Sequence, residues 1–373
     1  MIDVANTVAD TAASLTWTLP HAVAGTMVLS LNAYVLLAGA DFGGGVWDLL
    51  ARGQTRDTQR ALIAHAIGPI WEANHVWLVL VVVLLFTCFP AAFAHLATVL
   101  HIPITLMLVG IVLRGSAFTF RTYDSTRDAV QRRWGLIFSI SSVLTPVLLG
   151  VCLGAVAAGR VPMMPAATAA SLSFTARFVD PWATSVFAWA VGALTLALFA
   201  SLAATYLTVE TGDAVLQRVF RRRALQSQAA VVATALGTLW LAREASPALY
   251  AALTQGAGVP ALHALTALSA LITCWALSRH HFRMARLAIV AEASCLVWGW
   301  AWAQFPWLLP PDRSITALAA PRITLSLTLG ALSVGTLILL PSFVYLFRVF
   351  KSPGAGFLPD DEAVTVPEDR AGP

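Results

Sequence analysis

Charge is what this chain has least of. Asp, Glu, Lys and Arg make up 11% of its 373 residues, 58% are apolar, and mean hydropathy is +0.76. Soluble domains carry about 25% charged residues. A soluble core of this length could not hide so much apolar surface, so the scarcity excludes a soluble fold and indicates a polytopic membrane protein. Basic runs alternating with stacking aromatics are also missing, which argues against nucleic acid as a partner despite a net charge of +4. Cysteine is sparse. Cys88, Cys152, Cys274 and Cys295 lie in apolar segments without C-x-x-C spacing and read as small buried hydrophobes rather than a disulfide or metal site. The N-terminus lacks the basic region of a cleavable signal peptide, so the first span is expected to stay.

What the chain does have is long apolar runs. A helix needs about 20 such residues to cross a bilayer. Spans are predicted roughly over His21–Ala40, His75–Ala94, Ala97–Ala117, Trp134–Ala158, Trp182–Thr208, Gln228–Leu241, Val259–Leu277, Leu287–Leu308 and Ile323–Phe350. The second and third meet at "FPAAFAH" and read as a tight hairpin, and the sixth is short. Pro103, Pro146 and Pro341 predict kinks that neighbouring helices can accommodate. The fold expected is therefore all-α with nine transmembrane helices. A Tyr34/Asp41 spacing echoed by Tyr206/Asp213 suggests two four-helix bundles plus one extra helix.

Arginine placement orients this array. Arg52, Arg56 and Arg60 follow span one; Arg121, Arg127, Arg132 and Arg133 follow span three; Arg218, Arg221, Arg222 and Arg223 follow span five. Arg279, Arg283 and Arg286 follow span seven, and Arg348, Lys351 and Arg370 lie at the C-terminal end. The opposite side holds Arg160, Arg177, Arg243, Arg313 and Arg322. The positive-inside rule then places the N-terminus outside and the C-terminus in the cytoplasm. Residues 1–20 are expected as an outside segment, 21–351 as the transmembrane domain and 352–373 as a disordered cytoplasmic tail.

Polar residues inside such spans carry the functional signal. "IGPIWEANHVWLVLVVVLLF" opens span two with Glu72, Asn74 and His75, and Glu72 and His75 share a helical face. Asp41 ends span one on the same side, Arg114 ends span three, and Glu292 lies early in span eight. Two readings stay open. The carboxylates and imidazole form a proton path, or Asp41, Glu72 and Arg114 pair and cap helix ends at the interface. "DFGGG" lacks the strand and the Lys-Ser/Thr of a phosphate loop, and its glycines are expected to let the chain leave the helix and turn closely against a neighbour. His21, His95 and His101 toward the outer face are read as interfacial rather than as haem ligands, and "WGWAWAQFPW" as an aromatic belt.

Several of these stretches resemble subunit II of the cytochrome bd quinol oxidases. "GPIWEANHVWL" resembles that family's Gly-Pro-x-Trp-Asp-Gly-Asn-x-x-Trp-Leu motif, "AGADFGGG" its turn after the first helix, and "LRGSAFTFR" the ending of its third. "ATYLTVETG" and "FPWLLP" are similar to segments after helix five and at the end of helix eight. The matches run in family order over nearly the whole chain.

The resemblance implies a terminal respiratory oxidase of the bacterial inner membrane that takes electrons from quinol and reduces dioxygen to water. Haems b and d and the quinol site would belong to a partner, subunit I, with no cofactor ligated by this chain itself. Some members hold a quinone of structural role, and small single-span subunits are further expected partners beside membrane lipid. The resemblance also marks Trp71 and Glu72 as the Trp-acid pair of a cytoplasmic proton route, Asp41 as the turn aspartate, and Arg114 and Arg121 as the arginines after helix three. Asn74 and His75 join the proton-path candidates; Arg114, Arg121 and Glu292 are structural or interface candidates. Asp41 and Glu72 are expected side by side, facing the partner. Departures are Glu72 for aspartate, Ala38 for the first turn aspartate, Ala73 for glycine, and Thr119 where an acid is usual. The alternative is a secondary transporter, weighed against by the lack of Gly/Pro-broken helix pairs meeting at the bilayer midplane.

Overall fold

In lipid, every backbone N–H and C=O must be satisfied within the protein, which is why apolar runs of this length become helices. The structure, a computed structural model, describes residues 18–67, 71–123, 128–256 and 258–351. The first helix, α1, runs Leu19–Leu49, with Thr18 and His21 capping its start reciprocally. A polar helix, α2 (Arg56–Ile67), follows. Next come α3 (Trp71–Cys88) and α4 (Pro90–Val99), which meet at Phe89 with a bend of 117°. Then come α5 (His101–Tyr123) and α6 (Asp128–Ala157). After three short helical turns the chain forms α7 (Val186–Glu210) and α8 (Ala214–Ala245). The helices α9 (Val259–Ser278) and α10 (Phe282–Gln304) lead to a small antiparallel pair, β1 (Trp307–Leu309) and β2 (Arg313–Ser314). The final helix is α11 (Arg322–Lys351). Among the described residues, eight helices are long and apolar enough to cross a membrane, and nine if the bent α3–α4 pair is one span.

Three expectations need correction. The helix does not end at "DFGGG"; α1 runs through it to Leu49, about one turn past Gly45. A Cβ on Gly43 would collide with the Phe199 carbonyl of α7, and one on Gly45 with the Ser142 side chain of α6. Here glycine permits close helix packing rather than an exit from the helix. The second and third spans are joined through α4, not by a tight turn at "FPAAFAH". Pro90 lacks an N–H and starts a new helix at the bend. The short sixth span is in fact the 32-residue α8, which absorbs the arginines assigned to the preceding loop. Arg223 stays helical because its stem covers apolar surface: the guanidinium lies over Trp47 and Phe220 and donates to the Leu50 carbonyl at 2.9 Å.

Packing centres on α1 and α7, which contact each other, and α1 also contacts α3, α6 and α10. Two buried apolar clusters lie along this centre. One gathers Trp47, Phe138, Phe220 and Leu277; the other gathers Tyr34, Phe42, Phe199, Leu202 and Ile289. The chain divides into two compact units between Leu325 and Ser326, within α11.

Candidate functional site

Polar residues of three spanning helices, α1, α3 and α5, converge on one buried group. Asp41 of α1 is 5% exposed, and Asn74 of α3 donates from Nδ2 to its Oδ2 at 2.6 Å. The next residue, His75, sets its ring 5.9 Å from that of Tyr34 and 5.8 Å from that of Phe42. Arg114 reaches in from α5, fully buried, with its guanidinium 4.7 Å from the Phe42 centroid and 5.3 Å from that of Phe138. Asp41 acts on this guanidinium electrostatically. Among the described residues, Arg114 Nε and Nη2 have no hydrogen-bond acceptor. A buried cation with free donors is costly unless nearby negative charge or water offsets it. Asp41 supplies such a charge.

Glu72 stands apart from that interior. It lies in the first turn of α3 and is exposed, where the positive end of the helix dipole favours an acid. Thus Asp41 is interior and Glu72 is open, and the two acids differ in surroundings rather than forming one outward-facing pair. The side chains of Trp71 and Arg121, both named from the sequence, lie outside the described ones.

Glu292 belongs to a separate hydrogen-bonded group, although its neighbours Ile289 and Ala293 pack in the same apolar cluster as Tyr34 and Phe42. Gln228 of α8 donates from Nε2 to both Glu292 oxygens, at 2.6 and 2.7 Å, and Ser201 of α7 donates to Gln228 Oε1 at 3.0 Å. The acid is 2% exposed and forms no ion pair among the described residues. The arrangement cross-links α7, α8 and α10 through neutral partners.

Sequence reasoning missed Asp48. It is fully buried, accepts from Ser139 Oγ at 3.1 Å, and pairs with Arg60 at 3.6 Å. A signal was present: Asp48 follows Asp41 by seven residues, two helical turns, so both share a face once α1 is known to continue. Gln228 was read only as the edge of a span. Elsewhere, His21 Nδ1 lies 2.7 Å from Thr18 Oγ1, and His101 Nδ1 lies 2.9 Å from the Thr98 carbonyl. No three His, Cys, Asp or Glu among the described residues gather as a metal-binding group. Cys88 is buried, and the other three cysteines are half-buried free thiols.

The chain matches, over residues 19–350, the family described as cytochrome bd terminal oxidase subunit II. It is 24% identical over 325 residues to a Bacillus subtilis chain provisionally named a cytochrome bd menaquinol oxidase subunit II, covering 85% of this chain and 91% of that one. It is 26% identical over 213 residues to subunit 2 of the Escherichia coli cytochrome bd-I ubiquinol oxidase, covering 57% of this chain and 54% of that one. A solved chain of the bd oxidase from Geobacillus thermodenitrificans superposes with a TM-score of 0.68 at 21% identity, covering 89% of this chain and 98% of that one. At that identity the superposition speaks to fold.

Proposed function

Because the chain belongs to the cytochrome bd terminal oxidase subunit II family, we propose that it is the haem-free accessory subunit of a quinol-oxidising, dioxygen-reducing complex and that it helps admit protons from the cytoplasm. It is a multi-pass membrane protein of a respiratory oxidase; the finer assignments are our reading. Haems b and d and quinol oxidation are assigned to subunit I. The N-terminus is placed outside because arginine is concentrated at the opposite ends of the spans. The transporter alternative has no observation of its own to favour it.

Reducing dioxygen to water consumes a proton for each electron, so a buried reduction centre needs a supply route. One observation supports proton delivery by this chain: the 2.6 Å bond from Asn74 to Asp41. It ties a buried carboxylate to the helix whose first turn holds the exposed Glu72. Glu72 collects a proton at the mouth and Asp41 offers the next acceptor inward. Asn74 fixes that acceptor, and Arg114 balances its charge. A structural quinone and small single-span subunits are further expectations for the assembled complex.

The test is Glu72→Gln in the complex co-expressed with subunit I. Oxygen-reduction turnover should fall severalfold at constant haem absorbance, most steeply at high pH where protons are scarce, and Glu72→Asp should be tolerated. Turnover unchanged across the working pH range would remove Glu72 from the route. Recovery of the chain alone, without haem, after that co-expression would count against the subunit assignment itself.

A further inference from the structure

Where α7 gives way to α8 and α9 to α10, the molecule is strongly cationic. Arg218, Arg221, Arg222 and Arg223 occupy the early turns of α8, and Arg279, Arg283 and Arg286 flank the α9–α10 turn. The nearby acids are already engaged. Glu210 accepts from Arg286 at 3.2 Å, and Asp213 caps α8 by accepting from the Val215 N–H at 2.6 Å. A cleft of about 640 Å³ opens at this end among Thr208, Gln217, Trp275, His280, His281 and Arg283.

The cleft is built rather than merely basic. His280 adopts a left-handed backbone (φ 62°) that turns the chain, and its Nε2 lies 2.6 Å from Arg221 Nη1. A guanidinium can only donate, so Nε2 accepts and the ring proton resides on Nδ1, which remains a donor. Arg283 has no hydrogen-bond or ion-pair partner among the described residues. Its helix leads directly to apolar surface: Leu287, one turn along from Arg283, is 71% exposed. On α9, Trp275 is 51% exposed and Leu271, one turn away, is 67% exposed. Cationic donors thus sit at the end of an exposed apolar wall, with an indole at the junction, where amphipathic rings favour the headgroup level.

We propose that this cleft binds the phosphate of an anionic phospholipid, with Arg283, His280 and His281 at the headgroup and Trp275, Leu271 and Leu287 along the acyl chains. Basic pockets between membrane helices suit such headgroups, and each arginine near the surface strengthens binding about fivefold.

The experiment uses the purified complex containing this chain, exchanged into detergent and titrated with phosphatidylglycerol, phosphatidylcholine or inorganic phosphate. Retained lipid is read by native mass spectrometry and the unfolding midpoint by thermal scan. Phosphatidylglycerol should be retained and raise the midpoint, while phosphatidylcholine and inorganic phosphate at equal concentration should do neither. Arg283→Gln should weaken phosphatidylglycerol retention about fivefold, whereas Arg222→Gln, which removes the same charge outside the cleft, should leave it unchanged. Equal losses in the two variants would mean diffuse surface attraction and overturn the site. So would a matching effect of inorganic phosphate, or release of a protein subunit instead of lipid on Arg283→Gln.

Discussion

Two acids are buried among the spanning helices, yet they are satisfied differently. Asp41 is 5% exposed and shares its interior with the guanidinium of Arg114, while Glu292 is 2% exposed and has a neutral amide, Gln228, across from it. Between them lies apolar packing in which Phe42 and Phe199 stack at 6.3 Å. The difference teaches where charge is being managed. A buried acid beside a buried cation is a charged group whose members depend on each other. A buried acid held by an amide and a serine is a hydrogen-bonded brace among helices.

The comparison can be broken in several places. The largest effect is expected at the close contact of α1 with α7. In Gly43→Val the side chain meets the backbone of Phe199, which no rotamer change relieves, so size-exclusion of the solubilised complex should show no stable assembly. Gly25→Ala, with open space around it, should assemble normally. Next comes Arg114→Met, which strands Asp41 in the interior at a cost of about 3–5 kcal/mol. It should lower the thermal midpoint of the complex far more than Glu292→Gln, for which a change within about 1 kcal/mol is expected. Comparable losses would erase the distinction between the charged and neutral groups.

Smaller effects sharpen the second group. Gln228→Leu leaves the Glu292 carboxyl without its donor and should cost about 1–3 kcal/mol in the same scan. Ser201→Ala removes only the outer bond of the brace, at about 0.5–1.5 kcal/mol. Should Ser201→Ala exceed Gln228→Leu, Gln228 would not be the centre of the group.

Much of this was legible beforehand. Most spans fall within a few residues of their predicted bounds, and Asp41, Asn74, His75 and Arg114 were all singled out before they were seen together. The misses share one cause. Arginines in α8 and glycines in α1 look like punctuation in a linear reading, yet Arg223 stacks on Trp47 and Gly43 is pressed against α7, so both helices continue. Asp48 was overlooked for the same reason, since its relation to Asp41 exists only if α1 does not stop.

Hydropathy alone indicated a membrane protein of nine spans, because lipid leaves the backbone no partner but itself. Tertiary structure decided which acid meets which partner. These helices are apolar nearly all round, so the pattern along each one does not encode how it is rotated. Only the packing of α1 on α3, and of α8 and α10 on α7, turned Asn74 toward Asp41 and Gln228 toward Glu292.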